Sequence, residues 1–426
     1  MAPFRAYITF ILFCSASLFL ITCSSEHTSP TSPDRARPRV IATSPAAGAT
    51  QVPTNTSVTV TFSESIDPNS VVVLINGLER GPISVTDSIV TLTLSNSLFQ
   101  KVEYTGAVLA GIKDRAGNRM DSTYTWGFTT GFGPLGEKWI RQTSPTASRL
   151  NNVVRGSYEF LAVGATGTML ASDDGVVWTP LSFHPVADQL WSAYPIGDRY
   201  VVTGSPGTIL ASSGLGSWTQ DTLVDSISNL YDMWVAFDGI YMVGTGGVSG
   251  TDGVVVKYVS PTSWTTVNLG PSRTPRSITQ FGGSFVIVGD SGLVLTSTDG
   301  STWDDHSLGK SWGSLEKVRW SDQIGRLIAV GAAIISSSDG ISWTQHTFTS
   351  PTLFRDIGWT TLTVRGTTYS LYCAVGDAGT ICTSEDVVNW TPRDAGVTND
   401  LYGIARGLVP TRFVVVGEGG VILTSE

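Results

Sequence analysis

Charge is scarce in this chain. Only 14% of its 426 residues are Asp, Glu, Lys or Arg, where an ordinary soluble domain carries about 25%. The Glu/Lys-rich faces that solubilise surface helices cannot be built along such a sequence. Basic residues are the scarcer sign, 26 against 35, and residues 137–426 hold 17 basic and 26 acidic side chains. A surface with that balance repels phosphate backbones, which argues against nucleic acid as a partner. Histidine and cysteine number four each. His27, His184, His306 and His346 stand alone, without a second His or Cys at ligand spacing, so neither a metal nor a cofactor is expected. There is no Ser-His-Asp order, nucleophile elbow or phosphate loop either. In their place stand 46 Gly, 20 Pro and 13 Trp among many Ser, Thr and Val, the composition of short strands joined by tight turns. The fold class expected is all-β, in more than one domain.

At the N-terminus, the apolar run from Ala6 to Ile21 follows a single charge, Arg5, and is broken by Thr9, Cys14, Ser15 and Ser17. It is too short for a settled membrane span and reads as an export signal over residues 1–22. The segment ends in Leu20-Ile21-Thr22-Cys23, which resembles the bacterial lipoprotein signal and implies lipid on Cys23. Thr22 departs from the Gly, Ala or Ser usual before that cysteine, and a plain secretory signal cut nearby is the alternative. Residues 23–38, rich in Ser, Thr and Pro, cannot bury apolar surface and form an extended tether. The implied location is the bacterial cell envelope, at the outer membrane or cell surface, with the lipid as the sole membrane contact.

From residue 39 to 132 short runs alternate apolar and polar residues, as in Ser57–Phe62 and Ile89–Leu94, the pattern of a β-sandwich. The stretch from Val40 through Ser57–Phe62, with Ile112–Met120 and the closing Thr125-Trp126-Gly127-Phe128, resembles the bacterial Ig-like domain of S-layer and other surface proteins. That resemblance implies a spacer without an active site. Glu64, Asp67 and the Asp114–Gly117 turn have no carboxylate run at loop-ligand spacing, so calcium is not expected.

Residues 137–426 repeat. Tetrapeptides of the type Leu-Ala-Val-Gly end at Gly164, Gly204, Gly244, Gly289, Gly331, Gly376 and Gly417, 40 to 45 residues apart, and Trp178, Trp218, Trp264, Trp303, Trp343 and Trp390 follow them. Units of that length with room for four strands are propeller blades. The seventh lacks its outer strand, and Glu137–Thr143 carries Trp139 one period before Trp178. A seven-bladed propeller closed by the strand at 137–143 is therefore expected. Turns such as Ser172-Asp-Asp-Gly175, Ser297–Gly300, Ser337–Gly340 and Ser384–Val387 resemble the Asp-box of sialidase-like propellers. The whole repeat array also resembles the propellers of photosystem assembly factors, which implies binding more than hydrolysis.

Cys373 and Cys382 flank the central hairpin of blade six. A two-residue turn at Asp377-Ala378 sets them face to face for a disulfide, whereas a three-residue turn using Gly379 sends the thiols to opposite faces. In a propeller the first strand of each blade lines the channel. Aligned on Val153, Ala193, Met233, Ile278, Val318, Ile357 and Ile404, those strands carry, two residues earlier, Asn151, Trp191, Tyr231, Arg276, Glu316, Arg355 and Tyr402. This ring suits a sugar or a peptide carboxylate, with aromatic faces and arginine forks, unless it is only a solvated rim. The function expected is a non-catalytic lipoprotein that binds a protein or glycan as a monomer. The alternative, a sialidase-like glycoside hydrolase, casts Glu316, Tyr402, Asp232 and Asp356 as catalytic residues. It lacks the Phe/Tyr-Arg-Ile-Pro signature and has no third arginine in the ring.

Overall fold

The computed structural model describes residues 34–133, 135–183, 189–222, 227–247, 250–260, 263–307, 312–346, 348, 352–408 and 411–425. The export signal and Cys23 lie outside the described residues, as do His27 and His184. Among the described residues no helix is long and apolar enough to cross a membrane.

The first unit is a sandwich of two four-stranded sheets. One orders β1 (Val40–Ser44), β3 (Val58–Phe62), β6 (Ile89–Leu92) and β5 (Ile83–Thr86); the other orders β2 (Ala49–Val52), β8 (Tyr124–Thr130), β7 (Glu103–Val108) and β4 (Val73–Ile75). Period-two alternation puts Val58, Val60 and Phe62 of β3 into the core beside Val73, Tyr104, Trp126 and Phe128. Gly106 is required where it stands, because a Cβ there would enter the Trp126 ring across the strand pair.

Seven separate four-stranded sheets follow. In blade one, β10 (Leu150–Arg155) borders the channel and β11 (Phe160–Gly164), β12 (Met169–Ser172) and β13 (Thr179–Pro180) run outward in sequence order. The first strands of the other blades are Gln189–Ile196, Ile227–Ala236, Pro275–Phe281, Leu315–Ser321, Phe354–Val364 and Leu401–Leu408. Their second and third strands are buried on both faces, so they read as near-continuous Val, Ile, Leu and Ala.

The signature glycines have a steric cause. In blades one, four, five, six and seven the carbonyl just ahead of the first strand accepts the N–H of the residue after the glycine, as in Ala165→Arg149 at 2.8 Å and Asp290→Thr274 at 3.0 Å, and in blades two and three the matching carbonyls are those of Gln189 and Asn229 within the strand. This brings the glycine Cα onto the same carbonyl. At Gly164, Gly204, Gly244, Gly289, Gly331, Gly376 and Gly417 a Cβ would come within 3.0 Å of that oxygen, which real Cβ atoms do not do. Each first strand then carries a β-bulge near its start, at Asn151, Trp191, Tyr231, Arg276, Glu316, Arg355 and Tyr402. A bulge turns its extra residue out of the ladder, and these are the seven ring positions.

The turns joining third to fourth strands share one hydrogen-bond pattern. Gly175, Gly300 and Gly340 donate N–H to the hydroxyls of Ser172, Ser297 and Ser337. The following two N–H groups go to Asp174, Asp299 and Asp339, and these bonds hold the Asp299 and Asp339 carboxyls down to about 2. Four of the turn Trp residues donate to the carbonyl three residues back, at 2.9 Å for Trp178 and Trp390 and 3.0 Å for Trp218 and Trp343, whereas the Trp303 indole N–H is buried without a partner.

Closure is made by β9 (Trp139–Arg141), which pairs antiparallel with Ile422–Ser425 in the register Ser425↔Trp139. Trp139 repeats the turn bond by donating to Gly136 at 3.2 Å, and it stacks on Phe413 with centroids 6.4 Å apart. Phe132 and Leu135 of the connecting segment are buried in the same cluster. Beside them the Lys101 ammonium, its side chain 5% exposed, bonds Glu385 at 2.6 Å and Gln51 at 3.0 Å. Glu385 is the second residue of the blade-six turn, so the sandwich is latched onto the propeller rim at this point. Leaving one such buried charge unpaired is costly, which opposes free swivelling of the two units. Trp139→Ala is expected to cost about 3–5 kcal/mol in chemical unfolding, and a chain lacking residues 137–143 is expected to melt well below the full protein; equal melting would mean the seventh sheet closes without this strand.

Candidate functional site

The channel is divided at its waist. Asp232, buried, accepts from Ser192 Oγ (3.0 Å), Ser277 Oγ (2.6 Å) and Lys317 Nζ (2.8 Å). Burial pushes the Asp232 carboxyl up, but Lys317 and Ser277 outweigh it and hold the group below its ordinary value. Waist residues also stitch blade to blade. Asn152 accepts from the Ala193 N–H at 3.2 Å, Ser277 from Val318 at 3.2 Å and Asp356 from Ile404 at 3.1 Å. Between blades seven and one the waist closes backbone to backbone at Gly403, where a Cβ would strike Asn152 and Val153.

On the side where the first strands begin, the bulge residues border a cavity of 280 Å³. The structure brings Trp191, Tyr231, Arg276, Glu316, Arg355 and Tyr402 together there, as the alignment anticipates. Asn151 borders the cavity too, but its amide is engaged by Gln189 Oε1 (3.0 Å) and the Leu190 carbonyl (2.7 Å). Its place in the ring is taken by Arg149, whose guanidinium lies 5.6 Å from the Trp191 ring and 5.3 Å from that of Tyr402. The sequence reading missed this third arginine because it stands ahead of the strand, two residues before the bulge. Its signal was present in the residue type alone, not in the repeat position.

The ring alternates cations and aromatic faces. Arg355 sits 5.5 Å from Tyr402, Arg276 sits 4.9 Å from Tyr231, and Trp191 meets Tyr231 edge-on with centroids 5.4 Å apart. Such contacts contribute roughly 0.5–2 kcal/mol each and fix the guanidinium planes. The forks of Arg276 and Arg355 are not open, which corrects their expected role. Arg276 is held by Asp290 through bonds of 2.8 and 2.9 Å, and Arg355 by Asp377 through bonds of 2.7 and 3.1 Å. Burial works against both guanidinium charges, yet these carboxylates raise their pKa values further. Arg149 differs. It bonds only the neutral Gln189 Oε1, at 3.1 Å, and its Nε is buried without a partner. Among the described residues it is the cation of this mouth that has no carboxylate.

The hydrolase arrangement is not assembled. Glu316 accepts from Ser314 at 2.8 Å and lies 3.6 Å from Arg355, while the Tyr402 hydroxyl donates to Asp400 at 3.4 Å. No Tyr–Glu pair forms, and burial followed by the Asp400 charge pushes the Tyr402 phenol up, away from an activated nucleophile. Asp232 and Asp356 are buried in ion pairs with Lys317 and Arg319 (2.8 and 3.0 Å) and belong to the waist.

Cys373 and Cys382 are both unbridged and buried. The hairpin turns through three residues, Asp377–Gly379, with Gly376 donating to Thr380 at 2.9 Å. Cys382 therefore pairs with Ala374 and Cys373 with Thr383, so the thiols enter the cores on opposite faces of the sheet. Burial pushes the Cys382 thiol up to about 12, and both behave as small apolar side chains. In the sandwich, Asp114 caps its turn through Asn118 (2.8 Å) and Asp67 caps a short turn through Asn69 (3.0 Å).

Comparison with known proteins finds one family and several similar folds. The bacterial Ig-like domain family model matches residues 34–130. No curated protein sequence matches the chain. Among solved structures, YCF48 bound to a D1 peptide is similar at 19% identity over 69% of this chain and 96% of its own, with a TM-score of 0.52. YCF48 from Cyanidioschyzon merolae matches at 17% identity, 68% and 98% coverage and a TM-score of 0.53. Virginiamycin B lyase from Staphylococcus aureus matches at 11% identity, 68% and 98% coverage and a TM-score of 0.57. At these identities the likeness is one of fold: the chain carries a bacterial Ig-like domain ahead of a β-propeller of a kind found in both binding proteins and an enzyme.

Proposed function

We propose that the protein is an exported lipoprotein, held to the bacterial envelope by lipid on Cys23, whose propeller captures a carboxylate-bearing segment of a partner protein without catalysing a reaction. The observation that carries the reading is the ring around Arg149. Two of its three arginines are neutralised by Asp290 and Asp377, so the mouth offers one open positive charge beside the aromatic edge of Trp191 and Tyr231. That combination suits one carboxylate with an apolar neighbour, the usual content of a peptide segment. The latch at Lys101–Glu385 supports a spacer that holds the mouth at a set orientation above the tether. The similar YCF48 structure is described as bound to a D1 peptide, and peptide capture is a chemistry this fold accommodates. An acidic glycan is the competing ligand.

Fluorescence anisotropy with a set of labelled acidic peptides and acidic oligosaccharides separates these. Arg149→Ala and Trp191→Ala are expected to weaken peptide binding at least tenfold, about the 1.5–3 kcal/mol of a hydrogen bond to a charged group, with melting unchanged. Wild-type affinity in both variants would return the ring to a solvated rim. Sialoside hydrolysis abolished by Tyr402→Phe would replace capture with catalysis. For the anchor, Cys23→Ala is expected to move the protein from the detergent phase to the aqueous phase, and aqueous partitioning of unlipidated wild-type protein would refute it.

A further inference from the structure

The far mouth of the channel, where the first strands end, carries a second constellation. Arg155, Tyr194, Trp234, Trp320, Trp359 and Arg406 border a cavity of 390 Å³, within the size range of small-molecule sites. The Lys317–Asp232 bridge and its two serines stand between this cavity and the ring mouth, so the two are chemically separate.

Three features define what this mouth can hold. First, its three indole rings offer faces and little else. The indole N–H of Trp234 is taken by Gln280 (3.2 Å), that of Trp320 by Asp322 (2.5 Å) and that of Trp359 by Gln323 (3.0 Å). With the indole donors engaged by the protein, these three rings are locked in orientation and present apolar surface, which suits a flat aromatic body and leaves a sugar's hydroxyls without indole partners. Second, the aromatic groups stand on two sides. Tyr194 and Trp234, on blades two and three, meet edge-on with centroids 5.9 Å apart, and Trp320 and Trp359 come from blades five and six. Third, the wall between them, on the adjoining blades seven and one, is basic and unneutralised. Among the described residues, Arg155 donates to a backbone carbonyl, that of Asp173, at 2.7 Å and lies 4.6 Å from the Phe160 ring, with no carboxylate partner, and Arg406 has no hydrogen bond or ion pair. The Nε atoms of both are buried without partners. Native structures leave few such groups unexplained. The remaining charges are paired with one another, Arg319 with Asp356 and Lys317 with Asp232.

We infer that the far mouth is a binding site for a small aromatic carboxylate, its ring set between the Trp234 and Trp359 sides and its carboxylate directed to Arg155 and Arg406. The site is independent of peptide capture at the ring mouth, and either can fail without the other.

The test is isothermal titration of the full-length protein with indole-3-propionate, with indole and propionate as separate arms. Saturable binding of indole-3-propionate is expected, with each half-ligand at least tenfold weaker. Arg406→Gln and Trp234→Ala should each weaken it at least tenfold, while Arg276→Ala at the ring mouth leaves it unchanged. Arg406→Gln removes no internal bond, so it carries the test even if Trp234→Ala perturbs folding. Indole binding as tightly as indole-3-propionate, wild-type affinity in Arg406→Gln, or no saturable binding at all would each overturn the assignment.

Discussion

A glycine pressed against a carbonyl oxygen, once per blade, is the constraint on which the propeller's chemistry depends. A carbonyl near the head of each first strand lies where a Cβ on the glycine would be, and in blades one, four, five, six and seven it takes the N–H of the residue after the glycine. Drawing the hairpin in this close leaves one residue too many in the first strand, which becomes a bulge. The bulge residue leaves the ladder and faces the mouth. Packing, register and ligand-facing chemistry are thus set by one contact, and the residue at the bulge is free to vary because nothing in the sheet requires it.

Inside that frame the waist does the work of holding blades in phase. Asn152, Ser277 and Asp356 each reach from one blade to a backbone N–H of the next, and Lys317 crosses to Asp232. Blades seven and one meet backbone to backbone at Gly403 and are tied at the rim by β9. Because the closing strand follows directly on Phe132 and Leu135, which are buried beside it, the Ig-like unit is coupled to closure as well as to the Glu385 turn. Its role is that of a mount as much as of a spacer.

Most of the architecture was legible because the repeat period, the displaced Trp139 strand and the seven glycines are patterns along the chain. The ring followed from alignment alone, since bulges fall at the same step in each blade. What was not legible depended on partners outside the repeat. Arg149 precedes its strand and borders the ring mouth, where Asn151 turns its amide toward blade two. The forks of Arg276 and Arg355 are filled by Asp290 and Asp377, which sit on hairpin turns whose side-chain direction no period reveals. The cysteine pair hinged on one residue of loop length, and the three-residue turn decided it. The far mouth escaped notice because its residues alternate between positions one and two beyond the aligned core residue, which blurs them in any single column.

The central claim is best tested by a pair of glycine variants followed by thermal unfolding. Gly289 lies against the Thr274 carbonyl with no room for a methyl group, whereas Gly216 has open space around it. Gly289→Ala should lose about 1–3 kcal/mol, the usual cost of overpacking, and Gly216→Ala should stay within about 0.5 kcal/mol of wild type. Equal melting of the two variants would contradict the account.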